Sequence, residues 1–154
     1  MSHSKIKIWI HAIIGVKYRE AVISPEIEEA VHGFIRQEFA KCKCNLDSLN
    51  GTADHIHAQF LLHPDLTIRQ VMKQVKGASS HSINLSKLVK NKFAWQVGFG
   101  AFSISESQVS TIRGYIKKQK EHHKKMTFEQ EFQKFIKLYG LEAFDDKEEE
   151  KGDE

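Results

Sequence analysis

The sequence predicts an α+β domain of the ferredoxin-like kind, in which one antiparallel sheet carries helices on one face and further helices follow at the C-terminus. Its 154 residues suit a single domain, and 40% hydrophobic with 28% charged residues is ordinary globular composition. Apolar patterns with strand and helix periods follow one another in the order β-α-β-β-α-β. This order is the split-βαβ plan.

Four segments have the pattern of strands. Lys5–Ile14 ends in apolar residues on both faces, which is typical of a strand well inside a sheet. Asn45–Leu49 and His55–Leu62 fit a hairpin, because Asn50-Gly51 is a turn signal and the turn can continue for a few residues. Phe99–Ser105 alternates like a fourth strand.

Four helices are predicted from their start signals and apolar spacing. The first begins at Ser24-Pro25, an N-cap followed by a proline at the first helical position. The second begins at the capping box Thr67–Gln70. A third covers Ser107–His123, and the last begins at the capping box Thr127–Gln130 and ends at Gly140.

Positive charge is concentrated in the body of the chain. Residues 142–154 hold eight acidic and two basic residues, so the chain's formal net charge of +3 divides into +9 for residues 1–141 and −6 for the rest. Arg69–Lys92 has six basic and no acidic residues, and Arg113–Lys125 has six basic and one acidic. Such blocks suit a polyanion, although solvated helix faces explain either block alone equally well. We predict a domain over residues 1–141 and an acidic, disordered tail over 142–154.

Neither a membrane span nor a disulfide framework is predicted. The longest apolar stretch, Ile6–Val16, is interrupted by Lys7 and His11 and is far shorter than the roughly 20 residues of a membrane span. Cys42 and Cys44 are too close together for a disulfide framework and too few for a four-cysteine zinc site. We therefore expect a cytoplasmic protein in a reducing compartment, with no membrane partner.

Two histidines form the first candidate site. His55 and His57 are two positions apart on a predicted strand, so their imidazoles project from the same face. Such a pair can hold a divalent metal and leave positions open for a ligand, but the pattern also fits two structural histidines. A histidine-triad hydrolase is excluded because Gln59 stands where it needs a third histidine. A two-histidine phosphodiesterase is excluded because the sequence has no His-x-Ser/Thr pair.

Tyr115 and Gln119 form the second candidate site. They are four positions apart on a predicted helix and therefore lie on one face, about one turn apart. Tyrosine can be a covalent nucleophile, and a glutamine carbonyl is a plausible oxygen ligand for a hard metal ion. A lone tyrosine at the margin of a core would give the same local pattern.

Four segments together resemble a known family. In chain order they read DHIHAQFLL, IRQVMKQVKGASS, AWQVGFGAFSIS and YIKKQKEHHKKMTFEQEF. Their order and spacing are similar to those of the single-tyrosine HUH transposases of bacterial insertion sequences, the IS200-like TnpA type. HUH denotes two histidines around a hydrophobic residue, here Ile56, and the resemblance covers about Lys5–Leu141.

The resemblance implies a metal-dependent nuclease and strand transferase acting on single-stranded DNA in the bacterial cytoplasm. His55, His57 and Gln119 would hold one Mg²⁺ or Mn²⁺ ion. Tyr115, on a C-terminal helix, would attack a phosphodiester to give a 5′-phosphotyrosine and a free 3′-OH. Because the linkage keeps the bond energy, rejoining would need no ATP.

The resemblance also implies partners. Family members recognise hairpins at element ends and form homodimers in which the tyrosine helix of one subunit can complete the histidine pair of the other. The polar segment Ser103–Ser110 would let that helix swing. Backbone contacts to DNA are expected from residues of the two basic blocks: Arg69, Lys73, Lys76, Arg113, Lys117 and Lys118.

Two alternative functions remain open from the sequence. A non-catalytic nucleic-acid-binding module can share this sheet plan, but such modules stack bases on exposed strand aromatics, and here His55 and His57 stand on the strand that would carry them. A domesticated relative that cuts chromosomal hairpin repeats would keep the same active-site residues.

Overall fold

The computed structural model describes residues 4–138, and its elements follow the predicted order. Their bounds are β1 Trp9–Gly15, α1 Pro25–Lys41, β2 Leu46–Gly51, β3 His55–Leu61, α2 Ile68–Leu85, β4 Gly100–Ile104, α3 Val109–Lys117, α4 Gln119–His122 and α5 Phe128–Leu138. The predicted acidic tail, the end of the last helix and its stop at Gly140 lie outside the described residues.

The four strands form one antiparallel sheet in the order β2-β3-β1-β4. This order confirms the ferredoxin-like prediction, since the two βαβ halves interleave so that β1 and β3 lie at the centre. In the central pair Ile13 is opposite His57, and Gly15 is opposite His55. The central strands therefore fix the positions of both histidines.

One face of the sheet packs against α1 and α2. This layer, called the apolar layer below, contains β1 and β3 residues such as Ile14, Ile56 and Phe60 together with helix residues such as Ile35 and Val71, all almost fully buried. The capping box predicted for α2 is present: Gln70 N donates to Thr67 Oγ1, and Thr67 N donates to Gln70 Oε1. At the start of α1, Ser24 occupies the N-cap position, but its side chain makes no capping bond.

The other face of the sheet is covered by α3, α4 and α5. A smaller apolar cluster lies there, formed by Ile13, Phe102, Phe128 and Phe135. Around it the inward residues of β1 and β3 are polar, and we call this the polar layer. The predicted capping box of α5 is present, with Gln130 N bound to Thr127 Oγ1 and Thr127 N bound to Gln130 Oε1.

The prediction of one continuous helix over Ser107–His123 is wrong. A 3-10 turn at Glu106–Gln108 precedes α3, and the backbone leaves helical geometry at Lys118 before α4 begins. Asn50 of β2 explains the break, because its Nδ2 donates to the carbonyls of Ile116 and Lys117, each at 3.1 Å. A continuous helix would use these carbonyls internally.

The strand predictions are confirmed with shifted ends. β1 starts at Trp9 and not at Lys5, because both neighbouring strands end opposite Trp9, β3 at Leu61 and β4 at Ile104. β2 extends through Asn50 and Gly51, so the reversal occurs over residues 52–54. Among the described residues, no helix is both long and apolar enough to cross a membrane.

Candidate active site in the polar layer

The predicted site residues meet in the polar layer. His55 and His57 project from β3 toward α3–α5, while Ile56 between them points into the apolar layer, as the strand period predicts. Gln119 comes from α4 and Tyr115 from α3. Both histidines and Gln119 are completely buried, and Tyr115 is half-buried.

His55 is held from both of its ring nitrogens. Nδ1 lies 2.7 Å from Asp54 Oδ1 and 3.0 Å from Thr52 Oγ1, and Nε2 lies 3.1 Å from Gln119 Oε1. Burial lowers the pKa of His55, but hydrogen bonds to Asp54, Glu131 and Gln119 outweigh it and raise the pKa to about 9. The contacts thus orient Nε2 toward the centre of the site.

His57 has a different environment. Its Nδ1 lies 2.8 Å from His11 Nε2, and its Nε2 lies 2.6 Å from Glu131 Oε1. Burial lowers the pKa of His57 to about 4 despite the neighbouring carboxylate, and burial with the nearby His57 lowers the pKa of His11 to about 3. Burial thus favours the neutral form of both rings at pH 7.

Tyr115 lies against its own chain's histidines. Its ring centroid is 5.8 Å from that of His57, and it stacks on His122 at 4.5 Å. The Tyr115 hydroxyl donates a hydrogen bond to Glu131 Oε2. Burial raises the pKa of Tyr115, and this bond raises it further, so the hydroxyl is held neutral.

Glu131 of α5 is the hub of the site. It is completely buried, and besides Tyr115 it accepts a hydrogen bond from Gln119 Nε2 at 3.2 Å. Burial works to raise its pKa, but His123, His55 and His57 together hold the pKa far below its usual range. Glu131 is therefore an anion surrounded by imidazoles. It was not predicted from the sequence as a site residue.

Four groups are close enough to hold one metal ion. The ligand atoms of His55, His57, His123 and Glu131 all lie within 4.8 Å of one another. Two of them, His55 and His57, were predicted from the sequence as ligands, whereas His123 was interpreted as a helix or DNA-facing residue without a metal role. The carbonyl oxygen of Gln119, the third predicted ligand, is 3.1 Å from His55 Nε2 at the edge of the same cluster.

A usable signal for Glu131 was present in the sequence. Phe128, Glu131 and Phe135 are spaced by three and four residues, so a carboxylate interrupts the apolar stripe of the helix that carries them. A charged residue in such a stripe indicates a buried partner. His11 gave a weaker signal, because it is a polar residue within the apolar run of β1. For His123, the only signal was its position next to His122.

The predicted DNA-binding residues fall into two groups on opposite sides of the sheet. Arg69 and Lys73 are exposed on α2, where the half-buried Lys76 donates to Gly98 O at 2.8 Å. On the other side, Lys117 and Lys118 are exposed at the end of α3.

Arg113, the remaining predicted contact, is bound to a carboxylate. It forms a bidentate ion pair with Asp47 of β2, at 2.6 Å from Nη2 to Oδ1 and 3.0 Å from Nε to Oδ2. The pair joins α3 to the edge of the sheet. It therefore gives Arg113 a structural role whether or not the residue also contacts DNA.

The chain is similar to known proteins. The family model described as "Transposase IS200 like" matches residues 4–119. The ISDra2 transposase TnpA of Deinococcus radiodurans is 25% identical over 114 residues, which are 71% of this chain and 81% of the relative. The transposase for insertion sequence element IS200 of Salmonella typhimurium is 24% identical over 129 residues, in an alignment that covers 80% of this chain and 84% of the relative.

A solved structure shows the same fold. The REP-associated tyrosine transposase bound to a REP hairpin superposes with a TM-score of 0.61 at 16% identity, over 80% of this chain and 74% of that one. The matched part of the family model ends at Gln119. His123 and Glu131 therefore lie beyond it.

Proposed function

Because the chain belongs to the IS200-like transposase family, we propose that it cleaves and rejoins single-stranded DNA at hairpin-marked element ends, with Tyr115 as the nucleophile. The observation that carries the proposal is the convergence of His55, His57, Tyr115 and Gln119 in one buried cluster, although sixty residues separate the first histidine from the tyrosine. Packing alone, as for a tyrosine at the edge of a hydrophobic core, does not explain two buried imidazoles beside it.

The proposed reaction is a transesterification. The Tyr115 oxygen attacks the phosphorus, the bond from phosphorus to the 3′ oxygen breaks, and a 5′-phosphotyrosine and a free 3′-OH result. Attack by the same or another 3′-OH reverses the step and joins strands. In the described state Glu131 binds the Tyr115 hydroxyl and keeps it neutral. Attack requires this hydroxyl to lose its proton as the oxygen–phosphorus bond forms, and the departing 3′ oxygen gains one.

A divalent ion fits the donor set of the site. His55 and His57 have outer ring nitrogens occupied by Asp54 and His11, which leaves Nε2 of each ring for an ion, with Gln119 Oε1 beside them. When bound, Mg²⁺ or Mn²⁺ would polarise a phosphate oxygen and balance the charge of the transition state. The sheet holds the two rings rigidly, and Gln119 reaches them from α4.

A basic groove offers a path for the strand. It has a volume of about 870 Å³ and runs between α2 and residues 92–99, where Lys17, Lys73, Lys76 and Lys92 supply charge and Phe99 supplies an aromatic ring. Gln96 of this groove donates from its backbone to Gly15 O at 2.8 Å, and Gly15 is the partner of His55 in the sheet. One side of the groove is thus joined to the strand that pairs with His55, and phosphate contacts in the groove suit single strands.

Hairpin DNA and a second subunit are the proposed partners. The hairpin bound by the REP-associated relative supports the first, since the two proteins share a fold. In the described chain Tyr115 packs on its own histidines, an arrangement within one subunit. We propose that a homodimer can also exchange tyrosine helices, because the connector Ser105–Gln108 is exposed and contains a short 3-10 turn.

The test of the proposal is covalent capture of DNA. Labelled single strands with and without a hairpin are incubated with the protein and Mg²⁺ or Mn²⁺, then separated on a denaturing gel. The wild type should give a protein-linked band, Tyr115→Phe none, and Tyr18→Phe, which changes a tyrosine that is 81% exposed, the wild-type yield. Strand binding without any linked band in the wild type would favour the non-catalytic alternative.

Mixing variants tests helix exchange. Co-refolded His57→Ala and Tyr115→Phe subunits form heterodimers, and an exchanged arrangement gives each heterodimer one intact site. Activity of the mixture, with both homodimers inactive, supports exchange. A verified heterodimer that stays inactive shows that cleavage occurs within one subunit, without changing the assignment of Tyr115.

A further inference from the structure

Glu131 and His123 are not ligands of the ion proposed above, yet they complete a ring of donor atoms. Nε2 of His57, His123 and His55 lies 2.6, 3.2 and 3.5 Å from the same Glu131 Oε1. Ligand atoms about 2.0–2.1 Å from a tetrahedral zinc ion lie about 3.3 Å from one another. The observed distances from Oε1 scatter around this value.

His123 has the features of a ligand without its ion. Its side chain is only 10% exposed, and its Nε2 lies 3.2 Å from Glu131 Oε1 without the alignment of a hydrogen bond. A buried polar nitrogen without a partner costs free energy. An ion between the ring and the carboxylate would satisfy both groups.

The outer contacts also match a metal site. Ligating histidines usually bind a carboxylate or another polar group through their second nitrogen, which orients the ring. Asp54 takes this position for His55, and His11 takes it for His57. These contacts therefore orient the Nε2 atoms of both rings toward the site in the absence of an ion.

We infer that His55, His57, His123 and Glu131 form a four-ligand site for a transition-metal ion of the zinc class, distinct in composition from the His55–His57–Gln119 set. Three imidazoles and one carboxylate suit Zn²⁺. They do not suit Mg²⁺, which prefers oxygen ligands and retains water. With four protein ligands the ion has no open position, so this is a closed site that holds Glu131 against Tyr115.

The site couples metal binding to α5. Glu131 is the ligand that α5 contributes, and Phe128 of the same helix stacks on His55 with ring centroids 4.5 Å apart. Binding of the ion therefore clamps α5 over the tyrosine, and release of Glu131 frees one coordination position. The inference uses Nε2 of His55 and His57, as the proposed function does, so the zinc-class ion and a catalytic Mg²⁺ or Mn²⁺ would exclude each other. Its test uses no DNA, so either proposal can fail while the other stands.

Metal affinity is the first test. Zn²⁺ and Mg²⁺ are titrated separately into the chelator-stripped full-length chain, with a chromophoric chelator as competitor for Zn²⁺. We expect one Zn²⁺ per chain, bound at least about 100-fold more tightly than Mg²⁺, and at least about tenfold weaker Zn²⁺ binding in Glu131→Gln and in His123→Asn. His81→Asn, which removes an exposed histidine of α2, should bind Zn²⁺ like the wild type.

Hydrogen exchange of α5 is the second readout. Zn²⁺ should slow exchange of residues 128–138 at least about tenfold in the wild type and leave it unchanged in Glu131→Gln. Exchange of β1 and β3 without metal, equal in all variants, shows that the variants are folded. Wild-type Zn²⁺ affinity in both Glu131→Gln and His123→Asn, or α5 exchange that ignores saturating Zn²⁺ in the wild type, would overturn the inference.

Discussion

The two faces of the sheet are built from the same strands but have opposite chemistry. On β3, Ile56, Ala58 and Phe60 face α1 and α2, while His55 and His57 face α3–α5. Both sets are buried to a similar degree. Burial of the first set stabilises the fold through the hydrophobic effect, whereas burial of the second costs free energy unless every polar atom finds a partner.

This difference divides the work of the domain. Most residues of the apolar layer have no titratable or metal-binding group, so the stability that their burial provides does not depend on pH or metal. The polar layer depends on Glu131, which forms hydrogen bonds with Tyr115, Gln119 and His57. Networks of this kind are stable only when complete. Substitutions in the two layers should therefore act on different measured quantities.

The largest effect on stability is expected in the apolar layer. Ile35→Ala removes a completely buried side chain of α1 and should lower the free energy of unfolding by about 2–5 kcal/mol. Urea unfolding measures the loss. The yield of DNA-linked protein per folded molecule should stay at the wild-type level, and a lower yield per folded molecule would show that the two layers are not independent.

One buried histidine on the α1–α2 side of the sheet should make stability depend on pH. Burial lowers the pKa of His32 on α1 to about 4, and the nearby Glu28 offsets only part of this effect. Since the folded pKa lies below that of the unfolded chain, the folded state takes up this proton less readily. Stability is complete above about pH 6.5 and falls toward pH 4, by up to about 3 kcal/mol.

The His32→Gln variant isolates this contribution. The unfolding free energy of the wild type, relative to that of the variant, should decrease as the pH falls from 7 to 4. Profiles that remain parallel over this range would mean that His32 does not titrate as its burial predicts.

A smaller effect is expected where α5 packs on β4. A Cβ on Gly100 would lie 2.9 Å from Phe132 Cε2, so Gly100→Ala forces the Phe132 ring, or α5 with it, to shift. We expect a loss of about 1–3 kcal/mol and faster hydrogen exchange of α5. Gly33→Ala on α1 is the matched control, because its Cβ would meet nothing within 4 Å and alanine favours the helix. Equal stability of the two variants would contradict the packing of α5 described above.

The smallest effect is expected at the edge of the polar layer. Asp47→Asn removes the ion pair with Arg113, whose side chain is 40% exposed, so solvent screens much of its interaction. The loss of stability should be smaller than that of Gly100→Ala and should vanish in high salt. Because Arg113 holds the pKa of Asp47 below its ordinary value, the wild type should lose this contribution only in acid, as the pH falls through that pKa. A salt-independent difference would point to packing instead.

Local sequence patterns were sufficient to predict most of the fold and two of the four residues of the metal cluster, His55 and His57. The capping boxes at Thr67 and Thr127 and the common face of His55 and His57 depend on residues close together in the chain. The break at Lys118 could not be predicted in this way, because its cause is Asn50, more than sixty residues away. His11 was missed for the same reason, since only the register of β1 against β3 brings it to His57.

Glu131 was missed for a different reason. Its position in the apolar stripe of α5 was visible, but a stripe does not reveal what it packs against. Only the packing of α5 on the polar layer shows that the carboxylate lies among three histidines and a tyrosine.

The site of covalent attachment tests the role of the polar layer most directly. Wild-type protein is reacted with a hairpin-bearing single strand and Mg²⁺ or Mn²⁺, digested with protease and nuclease, and analysed by mass spectrometry. The nucleotide should be found on the peptide that contains Tyr115, joined through a 5′ phosphate to the phenolic oxygen. Attachment to Tyr18 or to any other residue, or strand cleavage that leaves no nucleotide on Tyr115, would contradict the assignment.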